Sequence, residues 1–206
     1  MAPRLLIASI LLCFMLGSTF GAVLFSTIPR TLTVSTTTKK GSVLKAGEDT
    51  VKVTWGLNST LQAGVDAKYS KVVVKLCYSP VSQEERAWRK TNNELDKDKT
   101  CQIKIVERGY TKNKQENLKW QIERDVPTAT YFVRAYAVDS NGHEVAYGQS
   151  TNSPKTSNLF DIESITGRHT SIDVAAAAFS AFSVVSLFFF FYVEKRKGKK
   201  SSPQPN

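Results

Sequence analysis

Histidine and cysteine are scarce in this chain, and much enzyme and metal chemistry depends on them. Two histidines, His143 and His169, and three cysteines, Cys13, Cys77 and Cys101, serve 206 residues. One histidine falls in a predicted hairpin turn and the other in a polar stretch nearer the end, an arrangement that offers no shared metal site or triad. No GxSxG, HExxH, P-loop, GxGxxG or CxxC string occurs. The carboxylates are numerous but scattered, as on any soluble face. A catalyst, a metal site and a bound cofactor are therefore not expected; a binding module is.

Long apolar runs are confined to the two ends. Leu5 to Phe20 follows Arg4 and is followed by the small residue Gly21, with Thr19 just inside it, the pattern of a secretory signal cleaved near Gly21 or Ala22. An uncleaved first span is the alternative. Val174 to Val193 carries no charge and runs into Glu194-Lys195-Arg196-Lys197-Gly198-Lys199-Lys200. As a helix of ~1.5 Å rise per residue it would cross a ~30 Å hydrocarbon core. The basic cluster should remain cytosolic, which places the preceding residues outside the cytosol. The expected organisation is a signal peptide (1–21), an extracellular domain (22–150), a polar stalk (151–173), a transmembrane helix (174–193) and a basic tail (194–206). No KDEL-type ending or terminal dilysine would return the chain to the endoplasmic reticulum.

The formal charge of +10 is distributed along this plan. Five basic residues and Glu194 lie in the tail and Arg4 in the signal, leaving 22 basic against 17 acidic residues outside, a net of +5. A mixed, soluble surface accounts for this, and nucleic acid is not an expected partner. The span itself is asymmetric, with small residues from Ala175 to Ser183 and bulky ones from Leu187 to Tyr192. Ala176/Ser180 and Ala177/Ala181 have the spacing that lets helices approach closely.

Period-two alternation dominates the middle of the chain. Val51, Val53, Trp55 and Leu57 share one face; so do Val72, Val74, Leu76 and Tyr78. Cys101, Ile103 and Ile105, then Leu118, Trp120 and Ile122, then Tyr131, Val133, Ala135 and Ala137 form further stripes. Asn141-Gly142 marks a hairpin into Glu144–Gln149. With a leading strand near Thr31 to Thr37, about seven strands result. The class is mainly β: an antiparallel sandwich outside the cytosol plus one C-terminal transmembrane helix. Pro127, four residues before Tyr131, resembles the tyrosine corner of immunoglobulin-like and fibronectin-III-like sandwiches. Asn58-Ser59-Thr60 is the one good glycosylation sequon.

Cys77 and Cys101 remain once Cys13 leaves with the signal, and two cysteines in an exported domain most simply pair. Closing about 25 residues would contribute roughly 3 kcal/mol. They bracket a polar, charged excursion, SPVSQEERAWRKTNNELDKDK, expected to hold a short helix from Ser82 to Asp96 with Ser82 as N-cap and Glu85 as its box partner. Trp88 at its centre is either a contact residue or tucked onto the sheet.

The run YSKVVVKLCY (69–78), Ser79-Pro80-Val81-Ser82, Arg86-Ala87-Trp88-Arg89-Lys90 and Lys97-Asp98-Lys99-Thr100-Cys101 resembles the plant high-affinity nitrate transporter-activating membrane protein family. FSTIPRTL (25–32) and YFVRAYAV (131–138) are similar as well. The resemblance covers the whole chain. It implies a non-catalytic accessory subunit that binds a multi-span nitrate transporter of the major facilitator type and supports its presence and activity at the plasma membrane. Within that reading, Arg89 and Asp98 are the expected partner contacts, supported by Trp88, Arg86 and Lys90. The alternative is that Arg89 and Asp98 pair with each other and order the loop. Phe132, Arg134 and Tyr136, opposite the Tyr131 stripe, are a second candidate surface. A general receptor or adhesion protein, or an export chaperone for a transporter, would suit the same architecture.

Overall fold

A computed structural model describes residues 23–38, 41–112 and 114–200, with side chains to residue 198. The expected signal segment, Cys13 and the last six residues of the tail lie outside the described residues. The described chain forms two units, a sandwich ending at Ser164 and a C-terminal helix.

The strands are β1 (Leu32–Thr36), β2 (Val43–Lys45), β3 (Thr50–Leu57), β4 (Lys71–Tyr78), β5 (Ile103–Gly109), β6 (Glu116–Gln121), β7 (Ala129–Val138), β8 (Glu144–Gln149) and β9 (Phe160–Glu163). One sheet has the order β1-β3-β6. The other runs β2-β9-β7-β4-β5, with β8 also paired to β7. Every pairing is antiparallel except β2 with β9. The alternating apolar residues of the two inner faces meet as the core: Val51, Val53 and Trp55 of β3 and Trp120 of β6 pack against Val74, Leu76, Tyr131 and Val133. Burying each such side chain contributes about 1.5–3 kcal/mol. The Tyr131 hydroxyl donates to the Pro127 carbonyl at 2.6 Å, so the expected tyrosine corner is present.

Three features differ from the sequence expectation. Among the described residues there are nine strands rather than about seven, because the short β2 and β9 complete the larger sheet. β9 lies in the stretch expected as stalk, where Phe160 and Ile162 enter the core and extend the sandwich beyond residue 150. The hairpin connection between β7 and β8 spans 139–143 rather than two residues, because the Asp139 carboxylate accepts the backbone N–H groups of both Asn141 and His143.

The second unit is α1 (Thr170–Lys200), of which Thr170–Gly198 is long and apolar enough to cross a membrane. It begins before and ends after the apolar stretch 174–193. Asp173 sits in its first turn, where a carboxylate favours the helix dipole, and pairs with Arg168 at 2.9 Å.

Candidate functional site

β7 is the centre of the larger sheet and is buried on both faces. Its inner residues belong to the core, whereas Phe132, Arg134 and Tyr136 project to the outer face, where they are at most 2% exposed. This corrects the expectation of a second binding surface there. A layer covers them, built from the strap 23–29, the excursion 79–100 and the Cys77–Cys101 disulfide, which forms as expected. Period-two reasoning separates the faces of β7 correctly but says nothing about what lies on the outer one.

Strap and excursion hold one another through backbone. Phe25 N–H donates to the Asn93 carbonyl at 2.6 Å, and Leu95 N–H to the Val23 carbonyl at 2.9 Å. Ser26 N–H adds a bond to the Asn93 side chain. Phe25 then lies over the Arg134 guanidinium at 4.4 Å and beside Tyr147 at 4.6 Å between ring centres. Arg134 donates to the Tyr136 hydroxyl and to the Gln149 side-chain carbonyl, and its Nε has no partner. Among the described residues no carboxylate pairs with it. Four aromatic rings therefore carry the stabilisation of this buried cation. Burial, and then the Arg134 charge, push the ammonium of nearby Lys155 below its ordinary range, while the Asp98 charge acts the other way.

The excursion is three single 3-10 turns, Pro80–Gln83, Ala87–Arg89 and Leu95–Lys97, in place of the expected helix. Ser82 does not cap. Its hydroxyl instead bonds both the N–H and the carbonyl of Thr130 on β7. Glu85 adopts φ +56°, a left-handed conformation that ends any right-handed helix. Gln83 closes the loop by donating to the Tyr78 carbonyl and accepting from the Thr91 N–H and hydroxyl. Gln83 and the strap's backbone role carried no recognisable sequence signal.

The expected site residues are now separable. Asp98 Oδ1 accepts the Asn92 N–H, the Thr100 N–H and the Thr100 hydroxyl, at 3.1, 3.1 and 2.7 Å. Arg89 is 8% exposed, with its guanidinium 4.4 Å from the Tyr78 ring centre and Nη1 donating to the Ser82 carbonyl. Among the described residues no ion pair joins Arg89 to Asp98, so the pairing alternative is not the arrangement found. Both instead order the loop through other partners. Trp88 is 63% exposed and does not tuck onto the sheet; its carbonyl is fixed by the Gln102 side chain at 2.6 Å. Arg86 and Lys90 are exposed beside it. The result is a rigid platform displaying an aromatic ring flanked by two cations. Asn58 is half-buried where β3 ends, and its side-chain oxygen accepts the Thr60 N–H and hydroxyl. Among the described residues no group of three or more His, Cys, Asp or Glu could hold a metal ion.

A sandwich bearing a disulfide-framed platform, joined to a helix able to span a membrane, sets the context for the comparisons with known proteins. Residues 25–167 match the sequence model of NAR2, described as high-affinity nitrate transporter accessory, Ig-like domain. The chain belongs to this family. It is 50% identical over 203 residues to the Arabidopsis thaliana protein named high-affinity nitrate transporter 3.1, covering 95% of this chain and 96% of that one. It is 51% identical over 178 residues to the Oryza sativa subsp. japonica high-affinity nitrate transporter-activating protein 2.1, covering 86% and 84%. The family match runs from the strap, through the platform and β9, to just before α1. The mainly β, immunoglobulin-like class expected from the sequence holds, and the names carried by the relatives support an accessory role for this member.

Proposed function

We propose that this chain is a non-catalytic subunit that binds a multi-span high-affinity nitrate transporter of the major facilitator type and activates or stabilises it at the plasma membrane. The sandwich stands outside the cell, α1 spans the bilayer once, and the basic tail faces the cytosol. The observation that carries this reading is the platform: Trp88, Arg86 and Lys90 are exposed on a loop that the disulfide, Asp98, Gln83 and the strap make rigid. Rigid loops on a sandwich scaffold are common seats of binding residues, and exposed Trp and Arg are the side chains that dominate protein interfaces. Family membership and the relatives' names support nitrate transport as the process served.

Arg89 and Asp98 act in this scheme mainly by setting the platform, with Arg89 also presenting its cation from the loop's inner edge. A receptor or adhesion role would need no transporter, and an export chaperone would separate from it after delivery. The test is affinity co-purification of the tagged full chain with a co-expressed high-affinity nitrate transporter from surface-labelled membranes. A stable hetero-oligomer carrying the surface label is expected. Absence of a complex from cells in which both proteins reach the surface would contradict the proposal.

A further inference from the structure

The layer over the larger sheet is incomplete. It covers the centre at β4, β7 and β8 and stops short of the β9–β2 end, leaving a groove of about 490 Å³ between the excursion and the sheet edge. Val81, Arg86 and Arg89 form one lip; Val43, Asp161 and Glu163 form the other. Val43 and Val81 are 60% and 65% exposed, among the most exposed large apolar side chains of the sandwich. Isolated exposed valines are ordinary, but two facing each other across one groove make an apolar seat.

Both lips carry charge, and Glu163 is exposed on its lip. Asp161 already accepts the Thr130 hydroxyl at 2.6 Å. On the opposite lip the exposed Arg86 guanidinium reaches the Glu84 carbonyl at 3.4 Å and pairs with no carboxylate among the described residues, whereas Arg89 is 8% exposed and its Nε is buried. The groove thus combines an apolar seat with one exposed cation, Arg86, that pairs with no carboxylate among the described residues. Covalent reach adds a second constraint. Only residues 164–169 separate Glu163, at the end of β9, from Thr170, the first residue of α1. That connection spans at most about 25 Å.

We propose that the groove receives a short extracellular loop of the transporter, carrying an apolar side chain between Val43 and Val81 and an acidic one against Arg86. This rests on the accessory-subunit reading and names the partner chemistry for it. An anionic lipid headgroup would satisfy Arg86 but leave the valine seat unfilled, and a second copy of this chain is the other occupant that the test distinguishes.

The experiment places a photoreactive benzoylphenylalanine at position 81 of the full chain, co-expressed with the nitrate transporter, and maps the crosslinked peptide by mass spectrometry. A crosslink to an extracellular transporter loop containing Asp or Glu is expected. In parallel, the double substitution Val43→Ser with Val81→Ser is expected to weaken transporter co-purification about tenfold or more, whereas Val65→Ser, outside the groove, leaves it unchanged. Crosslinks to lipid, to a second copy, or to none of these while the complex still forms would overturn the proposal and leave the accessory reading standing. Unaltered co-purification of the double variant would do the same. Failure of the unsubstituted chain to bind the transporter would defeat both.

Discussion

Phe25 and Arg134, 109 residues apart, stack at 4.4 Å and join the strap to the central strand of the larger sheet. The contact matters because Arg134 is 1% exposed and lacks a carboxylate partner among the described residues. Removing the ring should loosen both the cation and the excursion to which the strap is bonded. Phe25→Ala is expected to cost about 2 kcal/mol from lost stacking and packing. Thermal denaturation checks it, with a Tm lower by roughly 6 °C. Arg134→Met leaves no orphaned anion but removes the donor to the buried Gln149 side-chain carbonyl, so a modest loss of about 1–3 kcal/mol is expected. A large loss of stability in Arg134→Met would show that the charge itself is structurally required.

Asp98 and Arg89 give separable outcomes. Asp98→Asn retains an oxygen able to accept the Asn92 and Thr100 bonds, so the loop should survive while its charge is lost. Asp98→Ala removes the acceptor and should expose the excursion to trypsin at Lys90 and Lys97. Limited proteolysis of the two variants reads the difference. Asp98→Ala and Arg89→Ala are expected to lose transporter co-purification, whereas Asp98→Asn, with its loop, secretion and disulfide formation intact, is expected to retain it.

Gly148 on β8 has no room for a side chain, since a Cβ there would collide with the Leu32 carbonyl of β1. Gly148→Ala must separate these strands and should destabilise the sandwich by about 2 kcal/mol. Chemical denaturation of the secreted chain measures the shift.

The hairpin 139–143 supplies a pH dependence. Hydrogen bonds from the His143 and Asn141 N–H groups hold the Asp139 carboxyl below its ordinary value of 3.8. A lowered folded-state value contributes stability that is present above pH 3.8 and lost as pH falls through the folded value. Asp139→Ala should therefore lower Tm at neutral pH and converge on the unsubstituted protein in acid. A difference that persists undiminished well below pH 3.8 would contradict this assignment.

Much of the sandwich was legible because its inner faces follow simple alternation. Val51, Val53 and Trp55 mark β3, and Pro127 with Tyr131 marks the corner. β2 and β9 were not legible: three and four residues are too few to establish a period, and their pairing depends on tertiary contact. The site was half legible. Cysteine spacing framed the excursion, and its composition drew attention to Trp88, Arg86 and Lys90. Its interior was hidden because Ser82 and Glu85 match a helix start locally, while bonding to Thr130 and the left-handed turn at Glu85 prevail in the fold. Arg134 read as outward-facing because no local rule shows that a strap 109 residues away will cover it.

Labelled nitrate uptake at low external nitrate most directly tests the central claim. Cells would express this chain, a high-affinity nitrate transporter, or both, with surface biotinylation of each protein. The accessory reading predicts high-affinity uptake only when both are expressed, with both at the surface. Equal uptake by the transporter alone, at equal surface level, would contradict it.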